Sequence, residues 1–459
     1  MDNTNLDKRT VHVVGGGLAG SECAWQLAEM GHHVVLVEMR GTASHNDDNE
    51  AARASTPAHK TDNLAELVCS NSLGSQTDYS APGQLKWEAD KLGSLILRAA
   101  RESSVPAGMA LGVDRELFAT AVTRAVTTHP RIRVERRLIT SLDEIPRPAV
   151  IATGPLTHEE LASSIREHLA SPDDTSDFLY FFDAIAPVID ADTIDMSTAF
   201  KADRFDRGTK DYVNCPLNKE QYFALIESIA SARKVEPKEF EKTPYFEGCM
   251  PIEAMVERGP LTPKFGPMSP NGIRHPATGN KPFAVVQLRQ ENREATAYNM
   301  VGFQTKMAYG EQQRVFRKIP GLESAEFLKL GSIHRNLYIH SPRKLTRFLS
   351  SPRDPWLYFA GQMTGVEGYF DSTCIGLLVA RFLHDHLNGR EISLPPRETA
   401  VGSLLNAITE PKDEFQPTNI NFSLFPLIEG MNVRTQVERE KKRELQLARA
   451  KSALLGWLS

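Results

Sequence analysis

The apolar residues of this chain gather in short runs that end in small residues, and the first run begins a recognisable element order. Val11 to Val14 has strand length and leads directly into three glycines, Gly15 to Gly17. Apolar residues then recur with helical spacing at Ala24 and Leu27, and a second apolar run follows at Val34 to Val37. This pattern predicts a strand, a glycine turn, a helix and a second strand, the unit that holds a dinucleotide.

Two later runs repeat the apolar strand that ends in a small-residue turn. They are AVIATG at Ala149 to Gly154 and LYFAG at Leu357 to Gly361, and both predict strands that return to the first sheet. Between them the chain carries short aromatic and β-branched runs separated by proline and glycine, which favours an inserted α+β domain. The predicted domains are a discontinuous cofactor-binding domain, residues 1–155 and 334–459, and an insert, residues 156–333.

Helical periodicity predicts the main helices outside the glycine turn. Apolar spacing indicates a helix from Gln84 to Arg101, a second over Asp114 to Ala125, and an apolar helix that runs to about Leu387. Val433 to Trp457 is predicted to form a charged C-terminal helix that completes the cofactor-binding domain.

The glycine turn defines the first set of candidate binding residues. Gly15 permits the tight turn, Gly17 lets the backbone approach a pyrophosphate, and Gly20 lets the helix pack closely on the strand. Glu38 ends the second strand, where an acidic side chain accepts a hydrogen bond from a ribose 2′-hydroxyl. The predicted cofactor-binding residues of this unit are Gly15, Gly16, Gly17, Leu18, Ala19, Gly20, Glu38 and Arg40.

The late strand favours FAD over NAD as the bound dinucleotide. FAD is long and needs contacts from both ends of the chain, whereas an enzyme that binds only NAD has no need for the return at Leu357. Many flavoproteins follow this strand with Asp, and here Gln362 stands there, so Gly361, Gln362 and Gly365 join the predicted FAD site. Since there is no second GxGxxG, NAD(P)H is predicted to dock transiently as reductant.

Composition excludes several classes of protein. No apolar run approaches the length that crosses a bilayer, and the polar N-terminus lacks the apolar stretch of a secretory signal, so a cytoplasmic protein is expected. Five cysteines without a CxxC pair suggest neither a disulfide framework nor a zinc site, and no metal site is predicted. The net charge of −5 argues against bulk attraction to nucleic acid but allows a local basic face.

Three basic segments are candidates for such a face. From charge alone a solvated surface is the favoured interpretation of each. They comprise Arg131, Arg133, Arg136 and Arg137; Arg343, Lys344, Arg347 and Arg353; and Arg434, Arg439, Lys441, Lys442, Arg443, Arg449 and Lys451.

Several further blocks resemble one family closely, the TrmFO family of folate- and FAD-dependent tRNA (uracil-5-)-methyltransferases (Gid). The related MnmG family shares the glycine fingerprint but lacks the cysteine blocks. The resemblance implies a glutathione-reductase/MnmG-like α/β fold, with an FAD-binding Rossmann-like domain and an inserted α+β domain. The blocks that carry it are ELVCSNSL at 66–73, VPAGMALGVDR at 105–115, FEGCMPIEAM at 246–255, AVVQLRQ at 284–290, YNMVGFQT at 298–305, FAGQMTGVEGY at 359–369 and FQPTNINF at 415–422.

The resemblance implies methylation of a T-loop uridine of tRNA at C5. The carbon donor is 5,10-methylenetetrahydrofolate, and FAD reduced by NAD(P)H supplies the hydride. Uracil C5 becomes nucleophilic only after addition at C6, for which a thiolate is well suited. Cys69 and Cys249 match the family's catalytic positions, with Cys69 as the nucleophile and Cys249 as the base, or with these roles exchanged. Tyr369 is the third candidate, as an aromatic ring that stacks on folate or on an extruded base.

Some features depart from the family pattern, and other functions stay open. Bulky residues from Phe370 to Ile375, including Cys374, stand where very small residues are usual, and the loop from Gly41 to Pro57 is long. Arg289 and Gln290 are weaker candidates for contact with the pterin or uracil edge. The alternatives are the same chemistry on ribosomal RNA, an RNA-binding flavoprotein without methyl transfer, and a small-molecule FAD oxidoreductase. The sequence predicts no oligomeric state.

Overall fold

The computed structural model describes residues 10–41, 59–170, 178–206, 208–235, 250–412, 415–431 and 435–459. Its strands are short, as expected of an α/β protein built from brief apolar runs. In chain order they are β1 (Thr10–Val14), β2 (His33–Glu38), β3 (Ser72–Ser75), β4 (Ser104–Val105), β5 (Ala110–Val113), β6 (Ile132–Arg136), β7 (Ala149–Ile151), β8 (Phe178–Ala184), β9 (Val188–Asp190), β10 (Phe200–Ala202), β11 (Tyr212–Leu217), β12 (Ala284–Gln290), β13 (Ala297–Met300), β14 (Phe327–Lys329), β15 (Ile333–Ile339) and β16 (Leu357–Phe359).

The α-helices range from a single turn to the long C-terminal helix. In chain order they are α1 (Leu18–Glu29), α2 (Ala81–Lys91), α3 (Leu95–Glu102), α4 (Arg115–Thr128), α5 (Glu159–Leu169), α6 (Lys219–Ser231), α7 (Ile252–Arg258), α8 (Thr262–Phe265), α9 (Tyr309–Phe316), α10 (Ser341–Lys344), α11 (Tyr369–Leu387), α12 (Ala400–Thr409) and α13 (Gln436–Leu458).

A five-stranded parallel sheet, in the order β16-β7-β1-β2-β6, forms the centre of the larger core. Strands β7 and β16 are buried at every residue, as is typical of strands covered on both faces. The two short runs that end in small residues therefore do return to the first sheet. Strand β7 pairs with β1, and β16 pairs with β7 at the edge of the sheet. This arrangement confirms the predicted α/β fold class and brings both ends of the chain to one site.

The second core lies on a six-stranded antiparallel sheet, in the order β10-β11-β12-β13-β9-β14. Its buried residues come from Ile189 to Ala325, within the predicted insert. Helix α5 is also assigned to the insert by the predicted boundary, but its Leu161 and Ile165 pack in the larger core. The domain boundaries at residues 155 and 333 stay a prediction.

The predicted helices agree with the observed ones except for one break. The predicted helix from Gln84 to Arg101 is two helices, α2 and α3, because Gly93 adopts a left-handed φ of 75° and turns the chain between them. Helix α4 begins directly after Asp114, whose carboxylate accepts hydrogen bonds from the first-turn N–H groups. None of the helices in the described ranges is long and apolar enough to cross a membrane.

A buried carboxyl joins α2 to the start of α12. The Glu88 side chain accepts hydrogen bonds from the Ala400 N–H at 2.7 Å and the Val401 N–H at 2.9 Å. Burial raises the pKa of Glu88 to about 7. The neighbouring Gln84 Nε2 donates a third hydrogen bond, to Glu88 Oε1 at 2.9 Å, and these donors only partly offset the effect of burial on the pKa of Glu88.

This raised pKa predicts a pH-dependent stability. The unfolded carboxyl titrates near 4.5, so the folded protein holds the Glu88 proton more tightly, and the resulting stabilisation is lost as the pH rises from 4.5 to about 7. The parent protein should lose about 3 kcal/mol of its free energy of unfolding over this interval because of Glu88, whereas Glu88→Gln has no such carboxyl and should not. The difference in free energy of unfolding between the variant and the parent should therefore shift by about 3 kcal/mol in favour of the variant. Urea unfolding across a pH series measures it, with exposed Glu391→Gln as the control. A difference between Glu88→Gln and parent that does not change with pH would contradict the assignment.

Candidate active site

The glycine turn leaves the first turn of α1 open toward a cleft. Gly15 adopts a left-handed φ of 103°, and its N–H donates to the Val37 carbonyl at 2.8 Å, which ties the turn to β2. Helix α1 then begins at Leu18 without a side-chain cap on its first N–H groups. Such groups at a helix N-terminus bind phosphate.

The spacing of the glycines matches the roles that a pyrophosphate site requires. A Cβ on Gly20 would lie 1.8 Å from the Gly15 carbonyl oxygen, so the helix could not pack as it does with any larger residue. A Cβ on Gly17, by contrast, would have no atom of the described residues within 4 Å. The space beside Gly17 therefore fits a ligand that approaches the backbone closely.

Two adjoining clefts extend from this turn. The first is lined by Gly15, Glu38 and Arg40, and the second, of about 870 Å³, is lined by Leu18, Ala19 and Tyr369. Both clefts share Gly17, His59, Thr153 and Leu156. A dinucleotide as long as FAD could lie across both, with its pyrophosphate at the helix N-terminus where the clefts meet.

Glu38 and Arg40 form a buried ion pair at the wall of the first cleft. The Glu38 carboxylate accepts hydrogen bonds from the Gly16 N–H at 2.6 Å and from Arg40 Nε at 2.9 Å. Burial alone would raise the pKa of Glu38, but Arg40 and the N–H donors lower it. An ionised carboxylate has four acceptor positions, so Glu38 can still accept from a ribose hydroxyl. That role stays a prediction.

The late strand reaches the second cleft through Gly361 and Gln362. Gly361 adopts a left-handed φ of 80° and packs against Ala19, where an added Cβ would lie 2.7 Å from the Ala19 Cβ. Gln362 lines the cleft beside it. Gly365 contacts Phe415 instead, since a Cβ there would lie 2.3 Å from the ring. The structure thus brings Gly361 and Gln362 to the first glycine turn. Gly365 lines neither of the two clefts and packs against Phe415.

Cys69 and Tyr369, which are 300 residues apart in sequence, meet in the second cleft. Both line it, and the Tyr369 hydroxyl oxygen accepts hydrogen bonds from the Cys69 N–H at 2.7 Å and the Ser70 N–H at 3.2 Å. Burial raises the pKa of Tyr369 above its ordinary value, with a further contribution from Cys69. A neutral phenol therefore holds the backbone at the thiol-bearing residue.

Two cationic side chains bind the backbone carbonyl oxygens of residues 67–69. Arg115 donates to the carbonyl oxygens of Leu67 and Cys69, and Lys329 donates to that of Val68 at 2.9 Å. Together with Tyr369 they engage consecutive backbone groups of residues 67–70, which we call the Cys69 loop.

Arg115 is itself fixed by a carboxylate of the insert. Its guanidinium contacts Glu291 through two nitrogens, at 2.7 and 3.2 Å, and the two side chains are 20% and 6% exposed. Burial opposes the charge on Arg115, but Glu291 more than offsets this and raises the pKa of Arg115. Burial, with the nearby charge of Arg115, lowers the pKa of Lys329 to about 8. The Cys69 loop therefore lies between the two cores and is bound by both.

Asn71 makes a second connection from this loop to the insert. Its amide donates to the carbonyls of Val113 and Gln290, at 3.0 and 2.9 Å, and its Oδ1 accepts from Arg289 Nε at 3.0 Å. Burial lowers the pKa of Arg289. Arg289 thus contacts Asn71, the residue that follows the Cys69 loop, and its predicted contact with pterin or uracil stays a prediction.

Cys249 lies outside the described residues, so its predicted role as second thiol stays a prediction. Cys374 is buried on α11, and burial raises its pKa well above the ordinary value, which makes a reactive thiolate unfavourable there. In the described ranges no group of three or more His, Cys, Asp or Glu is arranged to hold a metal ion.

Sequence reasoning assigned no role to several residues that form this site. Arg115 is the last residue of one block that resembles the TrmFO family, and Glu291 directly follows another. Their position at these blocks was the only feature of the sequence that could have marked them as site residues. No comparable sequence feature marked Lys329, His59 or Asn336 as site residues. Burial and the charge of Arg40 lower the pKa of His59 to about 4, so a neutral imidazole stands where the two clefts meet.

Comparison with known proteins places this fold and site in a class. The model of the family described as glucose inhibited division protein A matches residues 10–391. The solved structure of Aquifex aeolicus GidA in its form I crystal superposes with a TM-score of 0.65 at 16% identity, over 98% of this chain and 76% of that one. The chain therefore has the fold of the GidA class of flavoproteins.

Curated relatives narrow the class to one family. The methylenetetrahydrofolate–tRNA-(uracil-5-)-methyltransferase TrmFO of Bdellovibrio bacteriovorus is 60% identical over 99% of both chains. Those of Sphingopyxis alaskensis and Aquifex aeolicus are 49% and 46% identical, and in each case the alignment covers 98% of this chain and 97% of the relative. The chain belongs to the TrmFO family.

The open space at Gly17 gives a test of the cofactor site that leaves the fold intact. Gly17→Ala introduces a methyl group only where a ligand would lie, so we expect unchanged apoprotein melting but FAD binding weakened by about tenfold or more. Flavin absorbance of the purified protein and FAD titration measure it. Gly20→Ala is the contrast, because its clash with Gly15 should lower the melting temperature too. Equal FAD affinity in Gly17→Ala and parent would contradict the site.

The Tyr369 hydroxyl gives a test of the Cys69 loop. Tyr369→Phe leaves two backbone N–H groups without their acceptor, at a cost of about 1–3 kcal/mol for each group that stays buried. We expect a methylation rate at least about tenfold lower in FAD-loaded protein, because a misplaced thiol reacts poorly. Tyr338→Phe is the matched control, since that hydroxyl donates to Phe415 away from Cys69. Equal rates for the two variants would argue against the positioning role.

Proposed function

We propose that this protein methylates C5 of the T-loop uridine of tRNA, with 5,10-methylenetetrahydrofolate as carbon donor and FAD, reduced by NAD(P)H, as hydride source. The observation that carries the proposal is the meeting of Cys69 and Tyr369 in the cleft that continues from the glycine turn. The near-complete alignment with relatives named for this reaction supports it. A cytoplasmic location, with tRNA as the partner, is part of the proposal.

The bound FAD would be held by groups from both ends of the chain. The first turn of α1 with Gly15, Gly16, Gly17 and Gly20 would take the pyrophosphate, and Glu38 a ribose hydroxyl. Gln362 would donate to or accept from the remaining hydroxyls, since an amide can do both. When bound and reduced, FAD supplies the hydride that completes the methyl group. Arg40 supports the site indirectly, through Glu38.

Cys69 supplies the nucleophile in this proposal. Its thiolate adds to uracil C6, which makes C5 nucleophilic enough to form a bond to the methylene carbon of the folate. Cys249 then takes the C5 proton while the bond between the methylene carbon and the folate nitrogen breaks, so tetrahydrofolate leaves with that electron pair and takes up a proton. The exocyclic methylene that results would receive hydride, and the bond between C6 and Cys69 breaks to restore the C5–C6 double bond and release the thiolate. The two cysteine roles could be exchanged. The positioning residues Arg115, Lys329 and Tyr369 hold the Cys69 backbone throughout these steps.

The direct assay of this function uses purified protein, radiolabelled 5,10-methylenetetrahydrofolate and NADPH, with unmodified tRNA in one reaction and ribosomal RNA in a parallel one. We expect label in 5-methyluridine of the T-loop, located by nuclease mapping. Label only in ribosomal RNA would replace tRNA with that substrate. Flavin reduction without label in any RNA would contradict methyl transfer.

Cysteine variants test the assignment of the thiols. Cys69→Ala and Cys249→Ala should retain bound FAD yet lose methylation by about a thousandfold or more, because removal of a covalent nucleophile or a required base removes a whole step. Cys215→Ala is the matched control, since that thiol is buried within the core of the insert. Methylation at the parent rate by either active-site variant would show that its thiol is not required.

A further inference from the structure

A strained loop of the insert exposes an aromatic ring. Between β10 and β11, Phe205, Asp206 and Lys210 adopt left-handed φ values of 64°, 49° and 50°. This conformation is costly for residues with a Cβ, and it is an outlier for a bulky side chain. Phe205 is nonetheless 67% exposed, so burial of its ring does not account for the strain.

The strained conformation is held by well-formed contacts. The Phe205 N–H donates to the Gly272 carbonyl at 2.7 Å, and Gly272 lies so close that a Cβ there would be 3.0 Å from the Phe205 ring. The preceding Arg204 donates to Gln287 and to the carbonyls of Ser269 and Asn271, at 2.7 to 3.1 Å. The loop is therefore built to keep the ring outside, since backbone strain that the surroundings enforce is typical of functional sites.

The segment that holds the Phe205 loop in place is free of acidic residues, although the loop itself carries Asp203, Asp206 and Asp211. The segment from Pro260 to Gln290 contains no Asp or Glu. Lys210, Arg274 and Lys281 are exposed, and none of the three forms an ion pair with a carboxylate of the described residues. Lys281 Nζ contacts Asn271 Oδ1 at 3.0 Å, next to Gly272. We call Phe205 with these three cations the Phe205 face.

A chain of contacts connects the hairpin that carries Phe205 to the residue two positions after Cys69. Tyr212, at the end of the same hairpin, pairs with Arg289 across β11 and β12, and Arg289 donates to Asn71, two residues from Cys69. The Tyr212 hydroxyl also donates to the Ala107 carbonyl at 2.9 Å, which fixes the hairpin to the cofactor-binding domain. A polynucleotide with one base at Cys69 would therefore pass near Phe205.

We propose that the Phe205 face binds the RNA substrate, with Phe205 stacked on an unpaired base of the loop that carries the target uridine and Lys210, Arg274 and Lys281 contacting its phosphates. Recognition of looped RNA depends on such stacking, and cations beside an exposed ring match a polyanion with exposed bases. This inference rests on the proposed function and extends it to a surface. The basic segment from Arg343 to Arg353 is less suited, because its Lys344 is buried, whereas Lys210, Arg274 and Lys281 are all exposed.

Phe205→Gly tests the ring without endangering the fold. Glycine accepts a left-handed φ readily, so this variant should melt no lower than the parent. We expect its affinity for unmodified tRNA, measured by filter binding on FAD-loaded protein, to fall by about 5- to 150-fold. Phe205→Trp should bind like the parent. Tyr309→Ala is the matched control, since that ring is 62% exposed on α9 of the same domain but outside the Phe205 face.

Lys281→Gln tests the charged part of the same face. We expect the slope of log affinity against log salt concentration to become shallower by about 1, as for the loss of one phosphate contact. If the parent protein methylates tRNA, either of two results would overturn the assignment of the Phe205 face. They are parent-like tRNA affinity in Phe205→Gly and an unchanged salt slope in Lys281→Gln. A changed oligomeric state in Phe205→Gly with unchanged tRNA affinity would mark a protein interface and also overturn it. A parent protein that methylates no tRNA would overturn the proposed function together with this inference.

Discussion

The constraint on which the active site depends is the hydrogen bonding of the Cys69 loop. A loop with an exposed thiol would ordinarily move, because few of its backbone groups have fixed partners. Here Arg115 and Lys329 hold three successive carbonyl oxygens, and the Tyr369 hydroxyl holds two successive N–H groups. Each partner is a side chain, so the loop keeps a defined position without belonging to a sheet or helix.

The same contacts make the position of the thiol depend on both cores. Arg115 and Tyr369 begin helices of the larger core, whereas Glu291 and Lys329 belong to the insert. The buried ion pair between Arg115 and Glu291 would be costly to break, since either charge alone would lose its partner away from water. The position of the Cys69 loop at the edge of the second cleft therefore depends on contacts from both cores.

The sequence predicted the parts of the site whose structure is specified within one short stretch of chain. The residues from Val11 to Glu38 specify a strand, a turn and a helix within one stretch of chain, and the structure has that order. The ion pair between Arg115 and Glu291 joins residues 176 positions apart, and nothing in either local pattern indicates a partner. The break at Gly93 was also missed, because the apolar periodicity continues through it while one left-handed residue turns the chain.

The most direct test of the account is to identify the residue that bonds to the RNA. Fluorine at C5 of the target uridine leaves no proton for a base to remove, so the adduct at C6 should persist after the carbon is transferred. Reaction of FAD-loaded protein with 5-fluorouridine-containing tRNA and 5,10-methylenetetrahydrofolate, followed by digestion and mass spectrometry, should yield a nucleotide-linked peptide that contains Cys69. A nucleotide linked to Cys249 would exchange the two cysteine roles, whereas a nucleotide linked to neither cysteine would contradict the account.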